Sequence, residues 1–301
     1  MSTPTPLPTS FRARSWLFAP GDSEKKMGKA ADAQGEARAD IILLDLEDSV
    51  MPENKPAARE LVRDFLAGRG DRNSLWVRIN PLSGDDATDD LSAVMPSAPG
   101  GLFLPKAEGR ADIEMLDTML RHHEAANGIE VGSTKVAALV TETAKAMFHT
   151  GDYAGAPRLV AMSWGAEDLS SALGARVQFQ PNGAYMPTYE LARSLCLLGA
   201  AAAGVAAIET IQSDFRDLDG LRERALMVRS QGYRGMLAIH PAQVPVINAA
   251  FTPSAEELDE ARAIISAFDA NPGAGTVGLN GAMLDRPHLA LAQALLASAD
   301  E

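Results

Sequence analysis

IILLDLEDSV, residues 41 to 50, sets four apolar residues directly before Asp45, Glu47 and Asp48. An apolar run of this length suits a strand buried on both faces of a parallel sheet, where helices cover the outside. Seven further runs have the same form: SWLFAP, LWVRIN, GLFLPK, VAALVTE, LVAMSWG, VAAIETI and MLAIHP. Between them, Ser23 to Arg38, Pro56 to Gly68, Ala111 to Asn127, Tyr189 to Gly204 and Leu218 to Gly232 carry the Ala, Leu, Glu, Lys and Arg content of helices. Eight strands alternating with helices predict a (β/α)8 TIM barrel rather than an open sheet. The predicted organisation is a flexible tail over residues 1–11, a catalytic barrel over 12–250 and a helical C-terminal extension over 251–301. The extension contains the helix SAEELDEARAIISAFDA with an N-cap at Ser254, a glycine-rich link NPGAGTVGLNGAML, and a last helix near His288 to Ala299.

A barrel gives the three acids a place, because the chemistry of this architecture gathers at the C-terminal ends of its strands. The other runs also end in polar residues: Arg78 and Asn80, Lys106, Glu142, Glu167 with Asp168, Glu209 with Asp214, and His240. Strand alternation points Asp45 and Glu47 the same way and leaves Asp48 to begin the loop. So many carboxylates in one place require cations, for which Arg14, Arg78, Lys106 and a divalent metal are the candidates. Glu142 and Asp168 are hard oxygen donors with no cysteine or histidine cluster near them in sequence, a set that suits Mg²⁺ better than Zn²⁺. Mg²⁺ keeps several waters, so Asp45, Glu47 and Asp48 are expected to hold it indirectly. Each acid taken singly has a plainer reading as a helix cap or ion-pair partner, and Arg78 as a structural partner.

The remaining features narrow the class. A formal net charge of −13 argues against a nucleic-acid binder. The single cysteine, Cys196, lies in an apolar helical run and reads as packing in a reducing compartment. No apolar stretch reads as a membrane span, and the Pro/Ser/Thr-rich start reads as a tail rather than a secretory signal, so a cytoplasmic location is expected. APGDSEKKMGKA, residues 19–30, lacks the spacing of a Walker A loop. Its Lys25, Lys26 and Lys29 form a basic patch at a helix start, suited either to a phosphate-bearing substrate or to solvent. His240 reads as a structural hydrogen-bonding residue, and His122 and His123 as solvated.

Arg14 with LFAPG, LLDLEDSV, WVRIN, LFLPKAE, TET, SWGAEDL, SDFRDLDGL, AIHPAQV and GAMLDRP stand in the order found in the citrate lyase β-subunit-like proteins of the HpcH/HpaI aldolase superfamily, which this chain resembles over roughly residues 12 to 298. The resemblance implies a Mg²⁺-dependent barrel that makes or breaks a carbon–carbon bond in a 3-hydroxyacyl-CoA such as malyl-CoA or citramalyl-CoA, with an acyl-CoA and a 2-oxoacid as the other partners. It implies Glu142 and Asp168 as metal ligands and Arg78 as the substrate carboxylate or carbonyl contact. Arg14 would touch the acyl-CoA or stabilise an enolate, and Asp45, Glu47 and Asp48 would form the surrounding acidic shell. Lys25, Lys26 and Lys29 would meet CoA phosphates. Asp285 would be a C-terminal acid placed over a neighbouring subunit's barrel in a homotrimer or a dimer of trimers. IETIQSDF departs from many relatives before the DF pair, which bears on the acyl pocket rather than the metal. The alternatives are a malyl-CoA thioesterase or malate-synthase-like enzyme, a citrate lyase β subunit acting on an acyl carrier protein, and a non-catalytic metabolite-binding barrel.

Overall fold

The computed structural model describes residues 11–299. Eight parallel strands close into a barrel: β1 (Ser15–Pro20), β2 (Ile41–Asp45), β3 (Leu75–Arg78), β4 (Gly101–Leu104), β5 (Lys135–Leu139), β6 (Leu159–Ser163), β7 (Ala206–Glu209) and β8 (Gly235–Ala238). β8 returns to pair with β1. Each run read as a strand is one. Around them stand α1 (Glu24–Ala31), α2 (Lys55–Ala67), α3 (Asp86–Val94), α4 (Arg110–Asn127), α5 (Ala166–Leu173), α6 (Pro187–Ala203), α7 (Leu218–Gln231) and α8 (Gln243–Phe251). β5 is followed only by a short 3₁₀ turn, Ala146–Phe148, so the helical ring is open there and Phe148 is 87% exposed.

Side-chain alternation divides the core into two layers. Ile41 and Leu43 point into the barrel with Trp16, Trp76 and Phe103, while Ile42, Leu44 and Leu46 face the helices. The interior is plugged near its N-terminal end by Trp16 and Trp76, edge to face at 5.2 Å, with Phe11 tilted 5.5 Å from Trp76. Room for Trp76 comes from Gly101, where an added Cβ would stand 2.6 Å from the indole. The tail expected over residues 1–11 lies outside the described residues except for Phe11. Also at the N-terminal end, Arg158 forms a bidentate pair with Glu124 and a further bond to Asp117, closing a buried ionic network.

Beyond the barrel, α9 (Ala255–Asp269) starts in a reciprocal capping box between Ser254 and Glu257, as its sequence predicts. The glycine-rich link is not a loop: it folds into an antiparallel hairpin, β9 (Thr276–Leu279) and β10 (Ala282–Asp285), turned by Asn280 and Gly281 at φ 51° and 80°. α10 (Arg286–Ala299) follows, and Phe268, Val277 and Leu284 form a small core of their own. Among the described residues no helix is long and apolar enough to cross a membrane.

Candidate active site

The register of β2 against β3 sets Asp45 beside Arg78 at the C-terminal rim. There the two form a bidentate pair, Nε to Oδ1 at 2.6 Å and Nη2 to Oδ2 at 2.7 Å. Asp45 also accepts the backbone N–H groups of Glu47 (3.0 Å) and Ser49 (3.3 Å), which turns the chain out of the strand. The guanidinium lies over the Phe18 ring, 4.7 Å from its centroid. Burial pushes the Asp45 carboxyl up, but Arg78 more than offsets this and holds it below the usual carboxylate range. The Asn80 amide ties the segment down, donating to Leu46 O and to the buried Asp90 of α3.

Glu47 stands between two cations. Its Oε1 accepts from Lys106 Nζ, and Oε2 lies 2.8 Å from Arg78 Nη1, yet at an angle that leaves that buried oxygen without a hydrogen bond. Lys106 Nζ is also 3.6 Å from Asp168 Oδ1 and 3.8 Å from Asp48 Oδ1. Burial works against this ammonium, but the surrounding carboxylates keep it charged above the ordinary lysine range.

Glu142 follows β5 and is buried. Its Oε2 accepts the backbone N–H of Lys106 at 2.6 Å, from a residue held in the left-handed region at φ 52°. Gly165 makes space for it, since a Cβ there would stand 2.7 Å from Glu142 Cγ and 2.9 Å from Oε1. Burial, and then the charges of Glu47 and Asp168, push the Glu142 carboxyl up to about 8. Asp168 sits in the first turn of α5.

Among the described residues, the cations that Asp45, Glu47, Asp48, Glu142 and Asp168 face are Arg78 and Lys106. The excess acid, the raised Glu142 carboxyl and the unbonded Glu47 oxygen would each be relieved by a divalent cation held at Glu142 and Asp168. Among the described residues no three His, Cys, Asp or Glu converge into a closed metal cage. What remains is an open carboxylate pair, Glu142 and Asp168, the kind of site Mg²⁺ occupies while keeping waters.

Arg14 is not part of this cluster. It precedes β1 at the N-terminal end of the barrel, where its guanidinium grips Asp40 (2.9 Å at both oxygens) and Thr252 (2.9 Å). A six-residue strand spans roughly 20 Å, so the side chain is at the wrong end for substrate contact. Its place before the first strand was visible in the sequence and is the signal against that assignment. Lys25, Lys26 and Lys29 are exposed on α1, which begins just after the C-terminal end of β1. Asp285 ends β10, and its described partner is His288. Lys106, counted in sequence only as a balancing charge, is the cation that links Glu47 with Asp168.

Glu209 is structural: fully buried, it accepts from Trp164 Nε1 at 3.0 Å and pairs with Arg224. His240 stacks on Phe215 at 4.6 Å and accepts the Ala242 N–H. Cys196 is buried, with its thiol pushed up by desolvation. Beside α5 opens a cavity of about 540 Å³ lined in part by Phe179, Tyr185, Arg193, Thr210 and Arg224.

The family model described as HpcH/HpaI aldolase/citrate lyase matches residues 14–241, which take in all eight strands and every residue of the rim cluster. The chain belongs to the HpcH/HpaI aldolase/citrate lyase family. Within that family it is 36% identical, over 95% of both chains, to a citrate lyase subunit beta-like protein of Mycobacterium tuberculosis. It is 33% identical to a (3S)-malyl-CoA thioesterase of Cereibacter sphaeroides, over 95% of this chain and 94% of that one. Among solved structures it is similar to CitE of Mycobacterium tuberculosis in complex with magnesium, acetoacetate and coenzyme A, with a TM-score of 0.80 and 34% identity over 96% of this chain and 99% of that one. These matches extend past the barrel into the C-terminal extension.

Proposed function

We propose that this chain is a Mg²⁺-dependent lyase of the citrate lyase β-like type, which cleaves or forms the carbon–carbon bond of a 3-hydroxyacyl-CoA such as malyl-CoA or citramalyl-CoA. The observation that carries this reading is the buried Glu142 carboxyl next to Asp168, set beside an arginine already locked in place by Asp45. The relative solved with magnesium and coenzyme A supports it.

Glu142 and Asp168 would hold the metal, and Asp45, Glu47 and Asp48 would orient Arg78, Lys106 and bound water around it. Bound there, Mg²⁺ supplies Lewis acidity and a fixed orientation for the oxygens of the acyl unit. Arg78, rigid and nearly buried, donates to the substrate carboxylate or thioester carbonyl and offsets negative charge that develops in the reaction. In the cleavage direction the bond between the hydroxyl-bearing carbon and the carbon next to the thioester breaks. The hydroxyl proton passes to solvent and the oxygen becomes the oxo group of a 2-oxoacid, while the electron pair passes to the carbon next to the thioester as an enolate. Asp285 of a neighbouring copy returns a proton to that carbon, in a trimer or a dimer of trimers whose C-terminal extension closes over the adjacent barrel and excludes water. Lys25, Lys26 and Lys29 meet the CoA phosphates. Arg14 has no part in the chemistry.

The likeness to a (3S)-malyl-CoA thioesterase favours one second reading, hydrolysis of the thioester. Purified protein with Mg²⁺ and a panel of malyl-, methylmalyl- and citramalyl-CoA separates the two. Acetyl-CoA or propionyl-CoA with a 2-oxoacid supports the lyase. Free CoA with the intact hydroxyacid supports the thioesterase. If no free CoA ester reacts while Mg²⁺ still binds, a citrate lyase β subunit acting on an acyl carrier protein becomes the leading reading.

A further inference from the structure

Leu284 on β10 packs into the small core with Phe268 and Val277, so alternation turns its neighbours Met283 and Asp285 outward, and Met283 is 70% exposed. The Asp285 backbone is fixed by its register with Thr276 and by the tight Asn280–Gly281 turn. Its carboxylate still has side-chain freedom, and what meets it is His288, in the first turn of α10. His288 Nδ1 lies within hydrogen-bond distance of Asp285 Oδ1 and 3.2 Å from the Asp285 backbone nitrogen. One ring nitrogen therefore faces a carboxylate oxygen and an N–H donor at once. A proton on Nδ1 excludes acceptance of the Asp285 N–H, so in that tautomer the ring gives up the backbone contact and donates to Oδ1, which occupies that oxygen and leaves Oδ2 as the one free to exchange a proton.

We propose that His288 is a positioning residue for Asp285: its ring fixes one carboxylate oxygen so that the other is presented outward from the hairpin. This rests on the reading of Asp285 as the proton-transfer group. A carboxylate that must meet a carbon-bound proton gains more from fixed direction than from proximity, because misplacement by about 1 Å costs on the order of 100-fold in rate.

The test is deuterium uptake from D₂O into the methyl group of acetyl-CoA with Mg²⁺ present, together with kcat and KM for cleavage, in wild type, His288→Ala, His288→Asn and Asp285→Asn. The Asn side chain places an amide where Nδ1 stands. The expected result is a loss of roughly 10- to 100-fold in exchange and kcat for His288→Ala, with KM little changed, and recovery of most of that loss in His288→Asn. Normal exchange in His288→Ala beside an inactive Asp285→Asn would overturn the positioning role and leave the role of Asp285 intact. Equal losses in both His288 variants also overturn it, since that marks a helix-end defect. A fully active Asp285→Asn overturns the reading of Asp285 itself.

Discussion

Glu142 is buried among acids, with its carboxyl raised from 4.5 to about 8, and this gives a stability signature. A folded-state value above the unfolded one means that the native protein binds the extra proton between those two points, so stability falls as pH rises from 4.5 towards 8. After EDTA treatment, thermal melts across that window should show wild type losing stability relative to Glu142→Gln, which has no such proton to lose. Mg²⁺ should bind with release of a proton from wild type at pH 7 and reverse the difference. Calorimetry in buffers of different ionisation enthalpy measures that proton. At Arg78 the prediction concerns geometry. Lysine keeps the charge but cannot span both Asp45 oxygens, so Arg78→Lys should lower kcat/KM by on the order of 100-fold with Mg²⁺ affinity retained. Arg14→Ala should lower the melting temperature slightly, by about 1 kcal/mol or less of stability, and leave kcat alone. The acids and Arg78 were legible because each interrupts an apolar run at its C-terminal end. Arg14 was misread because sharing a sequence block with a strand does not say at which end of the barrel a residue stands.

Among the elements, the turn from β6 into α5 sets the place of Glu142, the proposed metal ligand, through a close approach at Gly165. Gly165→Ala would press a methyl group to 2.7 Å from Glu142 Cγ and 2.9 Å from Oε1, and because the three nearest atoms all belong to the Glu142 side chain, the carboxylate is the part that moves. The expected outcome is a folded protein with Mg²⁺ affinity and turnover reduced together, read by circular dichroism and metal titration on the same sample. In the extension, Ser254→Ala should cost about 1 kcal/mol by removing the capping box of α9. Gly281→Ala should cost roughly 1–2 kcal/mol because its φ of 80° suits glycine. Hydrogen exchange confined to the hairpin and α10 distinguishes the second from the first. All eight strands were readable from apolar runs, since a strand buried on both faces leaves little room for anything else. α3 was not, because its three aspartates mask the buried Ala87, Leu91 and Val94. The hairpin was missed because Gly273, Gly275 and Gly278, all ahead of Asn280–Gly281, made the segment read as a link, although that dipeptide is itself a hairpin signal.

At the level of the whole molecule, the barrel keeps stability and chemistry at opposite ends. Arg158, Glu124 and Asp117 close the N-terminal end far from the rim cluster, and the Glu124 carboxyl is held down at about 2, burial being outweighed by Arg158 and the Gly132 and Thr134 N–H groups. Glu124→Ala would leave the buried Arg158 with Asp117 as its one remaining carboxylate among the described residues, for a loss of about 3 kcal/mol in chemical denaturation. The barrel and its rim followed from one repeated pattern in the sequence, whereas no such pattern says what the C-terminal extension packs against outside its own small core. The central claim is Mg²⁺-dependent carbon–carbon cleavage at Glu142 and Asp168. It is tested most directly by titrating Mg²⁺ into EDTA-treated protein with malyl-CoA, following acetyl-CoA and glyoxylate in wild type, Glu142→Gln and Asp168→Asn. Both products should rise together with metal in wild type, and neither variant should restore them at the same metal concentration. Equal product formation without Mg²⁺, or in Glu142→Gln at wild-type metal levels, would contradict that claim.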